Sequence, residues 1–354
     1  MLEDILKLVV QYKAPDVHLK VGQAPIFRLP NGDLFEVENS EVMDALKIEE
    51  MAKKITSEPA YAKFKQNKQV DCAYSLVGVG RFRVNVYMEK DGPAIAFRLI
   101  PENVPNFAKL GIPEVVAKMA MRPRGLLLVT GPTGSGKSTT LASLIDFINE
   151  QKRAHIITIE DPIEYVHKSK KSLVTQREIG VHADSFVDAI KACLRQDPNV
   201  IMVGEMRDLE TIAAAITLAE TGHLVMATLH TQDAAQSVDR IIDVFPAYQQ
   251  QQIRAQLSVS LVGVVSQTLV PVKDGTSRVM AAEVMVANDA VKNCIKEGNT
   301  HQIYSMIQIG REDGMQTLDG ALANLVKAGL VDRDMAAGKA HDLVEFNNLT
   351  RGKI

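Results

Sequence analysis

Two patterns of hydrophobic residues organise the first hundred positions of the chain. Apolar residues in Leu2–Val10 recur at helical spacing and predict an amphipathic helix, whose polar side lacks the Lys and Arg typical of membrane-surface helices. In Gly80–Tyr87, apolar and polar residues alternate, so Phe82, Val84 and Val86 share one face of a predicted strand. The other predicted elements are strands at 15–20, 26–29, 34–37, 72–76 and 94–100, a turn at 30–33, and two helices within 41–67 that are separated near Pro59. Residues 1–100 are therefore predicted to form a small α+β domain.

From residue 123 onward, short apolar runs alternate with helical stretches. The runs lie at 126–130, 155–159, 200–203 and 224–228, and the predicted helices lie at 139–149, 185–195 and 209–220. This alternation is typical of an α/β fold with a mostly parallel, doubly wound sheet. A strand pair near 264–272 and 279–286 completes a predicted core over 123–287, and helices broken by glycine follow over 288–354. Three prolines and a short helix in 101–122 predict a linker before the core.

Composition excludes several classes of protein. The chain has 354 residues, enough for two or three domains, and a formal net charge of −3, which disfavours a general nucleic-acid binder. Trp is absent, so aromatic platforms for base stacking are scarce. The three cysteines are scattered, which argues against disulfides and zinc sites and favours a reducing cytoplasm. The acidic N-terminus does not resemble a signal peptide, and no apolar run reaches the roughly 20 residues of a transmembrane helix.

The strongest motif reads Gly-Pro-Thr-Gly-Ser-Gly-Lys-Ser over Gly131–Ser138 and matches the P-loop. A predicted strand precedes it and a predicted helix follows it, which is the context that the motif requires. The glycines allow a concave set of N–H groups, and the helix adds its positive end, so a nucleoside triphosphate is expected to bind. Lys137 is expected to reach the β- and γ-phosphates, and the Ser138 hydroxyl is a candidate ligand of Mg²⁺. The candidate nucleotide-binding residues are Gly131, Pro132, Thr133, Gly134, Ser135, Gly136, Lys137, Ser138 and Thr139.

A carboxylate at the end of another strand is the candidate catalytic base. Hydrolysis needs a group that orients or deprotonates water near the γ-phosphate. The apolar run Val200–Val203 is followed by Gly204 and Glu205, where the common pattern has Asp before Glu. Glu205 is therefore the candidate base. The alternative, a surface glutamate at a strand end, is weakened by the independent evidence of the P-loop.

Two further groups of polar residues follow predicted strands. Glu160, Asp161 and Glu164 suit Mg²⁺ and its water shell, although a solvated acidic turn explains them equally well. His230 follows the strand at 224–228 and is a candidate sensor of the γ-phosphate, whereas His223 precedes that strand and is expected at its opposite end. A lone histidine is more often structural, so His230 carries little weight by itself.

Taken in order, these motifs resemble the Walker A, Asp-box, Walker B and His-box motifs of the secretion ATPase superfamily. They are Gly131–Thr140, Ile159–Tyr165, Arg195–Glu205 and Thr221–Thr231, and the resemblance covers essentially the whole chain. The similarity is greatest to the branch that retracts type IV pili, because the chain lacks the four-cysteine metal motif of the extension and type II secretion branches. The stretch Ala290–Gly298 resembles that branch's C-terminal signature imperfectly, differing at Val291, Lys292 and Cys294.

The resemblance implies a RecA-like P-loop motor domain, a PAS-like N-terminal domain and a set of C-terminal helices. It implies a homohexamer that hydrolyses ATP with Mg²⁺ and drives pilus disassembly through an inner-membrane platform protein of the pilus machinery. The expected location is cytoplasmic, at the inner face of the cytoplasmic membrane. It also assigns Arg83 and Arg98 to the nucleotide, at a domain or subunit interface; the alternative is an exposed basic strand face. The expected catalytic residues are Lys137, Glu160, Glu164, Glu205, His230, Arg83 and Arg98.

Three other functions remain open at this point. An extension or secretion-assembly ATPase remains an alternative, because the sequence indicates the direction of force only by resemblance. A DNA-stimulated P-loop ATPase would need a basic groove or stacking aromatics, which the composition scarcely supplies. A regulatory module that binds nucleotide without turnover is disfavoured by the presence of Lys137, Ser138 and Glu205.

Overall fold

The computed structural model describes residues 1–29, 32–37, 40–101, 104–275 and 277–351. The chain divides into two compact units, Met1–Asn103 with Glu164–Val166, and Val104–Ile163 with His167–Ile354. Pro30 and Asn31 of the predicted turn lie outside the described residues. The four-part division predicted from the sequence stays a prediction.

The first unit contains a six-stranded antiparallel sheet and three helices. The strands are β1 Asp16–Leu19, β2 Ile26–Arg28, β3 Leu34–Glu36, β4 Gln69–Leu76, β5 Gly80–Glu89 and β6 Gly92–Ile100, in the order β3-β2-β1-β6-β5-β4. The helices are α1 Leu2–Gln11, α2 Ala45–Ile55 and α3 Glu58–Asn67. The α+β prediction is thus confirmed for the described part of this unit.

The alternating pattern of β5 determines which face of the sheet is buried. Phe82, Val84 and Val86 are fully buried in the core that α1 and α2 also line, and Arg83 is exposed on the opposite face. The break between α2 and α3 lies before the predicted position. Ser57 caps α3, and Pro59 lies in its first turn, where a missing backbone N–H costs little.

The second unit is built on a seven-stranded sheet with order β13-β12-β7-β11-β10-β8-β9. Its strands are β7 Gly125–Thr130, β8 His155–Glu160, β9 Leu173–Glu178, β10 Val200–Val203, β11 Leu224–Leu229, β12 Leu261–Pro271 and β13 Arg278–Val286. All neighbours are parallel except β12 and β13, which confirms the predicted mostly parallel sheet. The half-polar edge strand β9 was not predicted, and β12 begins at Leu261, earlier than expected.

Helices cover both faces of this sheet, which explains why its central strands are continuous apolar runs. The helices that precede the C-terminal region are α4 Glu114–Ala120, α5 Lys137–Gln151, α6 Phe186–Cys193, α7 Leu209–Glu220, α8 Ala234–Asp243 and α9 Ala247–Ser260. Leu127 and Val129 of β7 pack with α4 and α5, whereas Leu126 and Leu128 face the core that contains α6 to α9. The P-loop strand is therefore buried on both sides.

The predicted C-terminal helices are present. They are α10 Asp289–Glu297, α11 Ile303–Ile309, α12 Leu318–Lys327, α13 Arg333–Ala337 and α14 Leu343–Thr350. Side chains of α12 to α14 form a small core with Val270 of β12 and Ala281 of β13. Within the described ranges, no helix has the length and apolar character needed to cross a membrane.

Candidate nucleotide-binding and hydrolysis site

Four parallel strands of the second unit bring the predicted residues to one edge of the sheet. The neighbours β7, β11, β10 and β8 run in the same direction, with Thr130 paired with Leu229, and Val203 paired with Ile159. The P-loop follows β7, and His230 follows β11. Glu205 follows β10, while Glu160 is the last residue of β8. These four elements therefore end at the carboxyl edge of the sheet, where ligands of open α/β sheets bind, and the roles of their residues stay predictions.

The P-loop backbone has the geometry of a phosphate cradle. Gly131, Gly134 and Gly136 have φ of 140°, 78° and 89°, a region that residues with a side chain rarely occupy. A Cβ at Gly131 would lie 2.3 Å from the carbonyl oxygen of Gln267, so the loop also packs too closely for a larger residue. Helix α5 begins at Lys137, so the positive end of the helix lies at the end of the loop.

Lys137 lies within the P-loop and is only 9% exposed. Its ammonium group donates hydrogen bonds to the carbonyls of Gly131 and Pro132, with distances of 2.8 and 3.1 Å from Nζ. Ser138, the predicted Mg²⁺ ligand, is half-buried in the first turn of α5. The loop therefore holds a cation in the concavity that its glycines form.

Glu205 forms a cluster with His230 and Arg207. Its Oε1 lies 3.1 Å from Nε2 of His230 and 2.5 Å from Nε of Arg207. Burial by itself would raise the pKa of Glu205, but the hydrogen bond and charge of Arg207, together with His230 and Lys137, hold that pKa below its ordinary value. The carboxylate is therefore ionised at neutral pH. The sequence predicted only that Glu205 and His230 lie at the same edge of the sheet, and the structure shows that they are in contact.

Gly204 fits tightly between neighbouring strands. A Cβ at this position would lie 3.3 Å from the carbonyl oxygen of Ile159, and Thr228 donates a hydrogen bond of 2.5 Å to the Gly204 carbonyl. To admit the Cβ of an aspartate, as in the more common motif, the neighbouring backbone of β8 would have to shift by a few tenths of an ångström. Close packing against the end of β8 thus favours glycine at this position.

The acidic residues at the end of β8 have different surroundings. Glu160 is 7% exposed, and its Oε1 accepts hydrogen bonds from Thr158 at 2.6 Å and Gln176 at 3.1 Å. Asp161 is exposed, while Glu164 is exposed and belongs to the first unit. In the described part of the chain, no group of three His, Cys, Asp or Glu side chains is arranged to hold a metal ion. A Mg²⁺ site of Ser138 with Glu160 and Asp161, completed by water, stays a prediction, as do catalytic roles for Glu160 and Glu164.

Arg83 and Arg98 are direct cross-strand neighbours on the exposed face of the first unit's sheet. Asp16 lies on β1, the strand next to β6, and is the cross-strand partner of Arg98. Its Oδ1 lies 2.6 Å from Nε of Arg98. The hydrogen bond to Asp16 raises the pKa of Arg98, and the charge of Glu164 contributes in the same direction. The contact of Arg83 and Arg98 with nucleotide stays a prediction.

Sequence reasoning missed two residues of this site. Arg207, two positions after Glu205, has no motif of its own, although its charge next to a candidate base was a usable signal. Gln267 of β12 donates a hydrogen bond of 2.7 Å from Nε2 to the carbonyl of Ser135 in the P-loop. No local pattern marks Gln267, because its partner is 132 residues away. His223 lies before β11, as predicted, with its Nδ1 3.1 Å from the carbonyl oxygen of Leu218.

The fold and this site define a P-loop protein of the RecA-like α/β type. Comparison with known families and structures agrees with this class of protein. A family model described as Type II/IV secretion system protein matches residues 1–330. The chain belongs to this family, and the resemblance seen in its motifs is confirmed.

Relatives and a solved structure match almost the entire chain. A twitching motility protein of Neisseria gonorrhoeae is 48% identical over 318 residues, which are 90% of this chain and 84% of that protein. The type IV pilus retraction ATPase PilT of Pseudomonas aeruginosa is 45% identical over 339 residues, which are 96% of this chain and 98% of PilT. A crystal structure of the pilus retraction motor PilT with bound ADP superposes with a TM-score of 0.91 at 45% identity and covers 98% of both chains.

Proposed function

We propose that this protein is an ATPase that drives retraction of type IV pili. The observation that carries the enzymatic part is the meeting of the P-loop, the ionised Glu205 and His230 at one edge of a parallel sheet. Nucleotide binding alone would require only the P-loop. A carboxylate held beside a histidine at the same edge is the additional feature that hydrolysis requires.

The P-loop would bind the phosphates of ATP through its backbone N–H groups and Lys137. Phosphate oxygens would replace the Gly131 and Pro132 carbonyls as partners of the ammonium group. The hydroxyl of Ser138, in the first turn of α5, fits Mg²⁺ as a ligand because hard cations prefer oxygen. When bound, Mg²⁺ would neutralise charge on the phosphate oxygens.

Glu205 would orient the attacking water and accept its proton. The pKa of Glu205 is lowered, so the carboxylate is in the form that accepts a hydrogen bond from water at neutral pH. Arg207 and His230 fix the position of its Oε1. His230 would link the state of the phosphate to Glu205, because any movement of its ring changes a contact with that carboxylate.

The mechanical part of the proposal is supported by the relatives. Both PilT and the twitching motility protein match over most of their length, so the same work is inferred for this chain. We infer that it forms a homohexamer and acts on an inner-membrane platform protein of the pilus machinery, from the cytoplasmic side. Extension of pili is the alternative direction of force.

Assays with the purified protein test the enzymatic part of the proposal. Purified protein should release phosphate from ATP in the presence of Mg²⁺, and Lys137→Ala should abolish both nucleotide binding and turnover. Added single-stranded DNA should leave the rate unchanged; strong stimulation would favour a DNA-dependent ATPase.

Deletion of the gene tests the direction of force. Cells without it should carry excess pili and fail to twitch, and the wild-type gene should restore twitching where the Lys137→Ala gene does not. Bald cells would indicate an extension motor instead.

A further inference from the structure

A buried glutamine on β12 contacts both ends of the P-loop. Gln267 is 3% exposed and lies on the strand next to β7. Its Nε2 donates a hydrogen bond of 2.7 Å to the carbonyl of Ser135, near the end of the loop. The backbone carbonyl oxygen of Gln267 lies against Gly131, at the start of the loop. A Cβ at Gly131 would lie 2.3 Å from this oxygen.

The hydrogen bond to Ser135 determines the orientation of a peptide group in the loop. The carbonyl of Ser135 and the N–H of Gly136 belong to one trans peptide plane, so they point in opposite directions. With the carbonyl turned toward Gln267, the Gly136 N–H turns away from β12. Gly136 caps α5, and free N–H groups at such a position bind phosphate.

We propose that Gln267 is a positioning residue that aims the Gly136 N–H at the phosphates of bound nucleotide. The inference rests on the proposed function, since it assumes that the P-loop is the nucleotide site. It goes beyond that function by assigning a role to a residue that lies outside every nucleotide-binding motif. Gln267 acts through the loop backbone and does not itself contact phosphate.

The side-chain amide of Gln267 forms a hydrogen bond through Nε2 to the Ser135 carbonyl, but none through Oε1 to the described part of the chain. Oε1 is buried and has no hydrogen-bond partner among the described residues. An unpaired buried acceptor is unfavourable, so replacing the amide by an apolar group of the same length removes this cost together with the hydrogen bond to Ser135. Removal of the amide should therefore affect phosphate binding more than it affects folding.

Another glutamine provides a matched control. Nε2 of Gln316 donates a hydrogen bond of 2.7 Å to the carbonyl of Ala282 on β13, a contact of the same type and length. Gln316 lies between α11 and α12, and its backbone pairs with Val284 of β13. Gln267→Met and Gln316→Met each remove one such hydrogen bond while preserving the length of the side chain.

The experiment measures the dissociation constant of ADP by titration calorimetry and the steady-state hydrolysis of ATP, both with the full chain. One net hydrogen bond predicts that Gln267→Met weakens ADP binding about three- to tenfold and raises KM for ATP by a similar factor, with kcat changed less than twofold. Gln316→Met should bind ADP as the wild type does. Equal ADP affinity in Gln267→Met and wild type, or equal losses in both variants, would overturn the inference.

A second variant guards against an ambiguous result from poor folding. Gln267→Glu keeps the side-chain length. Burial favours its neutral carboxyl, which can still donate to the Ser135 carbonyl, whereas its ionised carboxylate only accepts and should repel that carbonyl. ADP binding by Gln267→Glu, relative to wild type, should therefore weaken as the pH rises, and wild-type affinity in Gln267→Glu at every pH contradicts the proposal. Lys137→Ala separates the two hypotheses. If it binds ADP normally, the proposed function fails; if it loses ADP while Gln267→Met does not, only the role of Gln267 fails.

Discussion

Glu283 should make the stability of this protein depend on pH. It lies on β13, is 2% exposed, and accepts a hydrogen bond of 2.9 Å from the N–H of Ala234, the first residue of α8. Burial raises the pKa of Glu283 to about 7; the hydrogen bond from Ala234 opposes this, and the charges of Asp233 and Asp319 add to it. At neutral pH this buried carboxyl is therefore at the midpoint of its titration.

The magnitude follows from the difference between the two pKa values. Below pH 4.5, Glu283 is protonated in both the folded and the unfolded chain, so its burial carries no ionisation penalty. As the pH rises from 4.5 to 7, the unfolded chain loses this proton while the folded chain retains it, and the folded state loses stability. Above pH 7 the full penalty is about 3 kcal/mol, at 1.36 kcal/mol for each pH unit.

Glu283→Gln isolates this contribution. The amide stays neutral and its oxygen still accepts from Ala234, so the variant should be about 3 kcal/mol more stable than wild type at pH 8.5 and nearly equal to it at pH 4. Urea unfolding followed by circular dichroism at fixed protein concentration, across this pH range, measures the difference in the free energy of unfolding. Glu312→Gln, at an exposed turn, removes the same charge without burial and is the control. A stability difference that stays constant with pH, or that shrinks as the pH rises, would refute the reasoning.

The remaining predictions concern the reaction cycle. Glu205→Gln should bind ATP yet hydrolyse it at least about a hundredfold more slowly, because it keeps the shape of the side chain without the base, and rapid turnover would shift that role to Glu160 or Glu164. His230→Ala should lower the rate of hydrolysis more than the affinity for ATP, whereas His223→Ala, at the other end of β11, should have a smaller effect on both; equal effects would return His230 to a structural role. Mixing inactive Arg83→Ala subunits with inactive Glu205→Gln subunits should partly restore ATPase activity if the active site is shared between subunits. No recovery, with mixing confirmed, would favour a contact within one chain or a purely structural role for that arginine.

The local sequence was sufficient to predict those parts of the site and fold whose residues are consecutive in the chain. The P-loop could be identified from Gly131–Ser138 because its glycines, its cation and the start of its helix follow one another directly. The alternation of β5 was sufficient to separate the buried Phe82 from the exposed Arg83, since a strand presents successive residues to opposite faces. Continuous apolar runs likewise predicted central strands that are buried on both faces.

Elements that lack such a pattern escaped prediction. The edge strand β9 is half polar because only one side of it meets the core, so it has no apolar run. The start of β12 was placed too late, because α9 ends at Ser260 and the strand begins at the next residue, with no glycine or proline between them.

Strand order and register were decided only by the tertiary structure, and they determine how the site is assembled. The sequence placed Glu205 and His230 at strand ends, but only the adjacency of β10 and β11 brings Oε1 and Nε2 within 3.1 Å. Glu160 also ends a strand, yet its Oε1 is bonded to Thr158 and Gln176. Gln267 reaches the P-loop because β12 pairs with β7 across a long stretch of chain. Such contacts depend on which strands become neighbours, and that outcome follows from the packing of the whole domain rather than from any local pattern of residues.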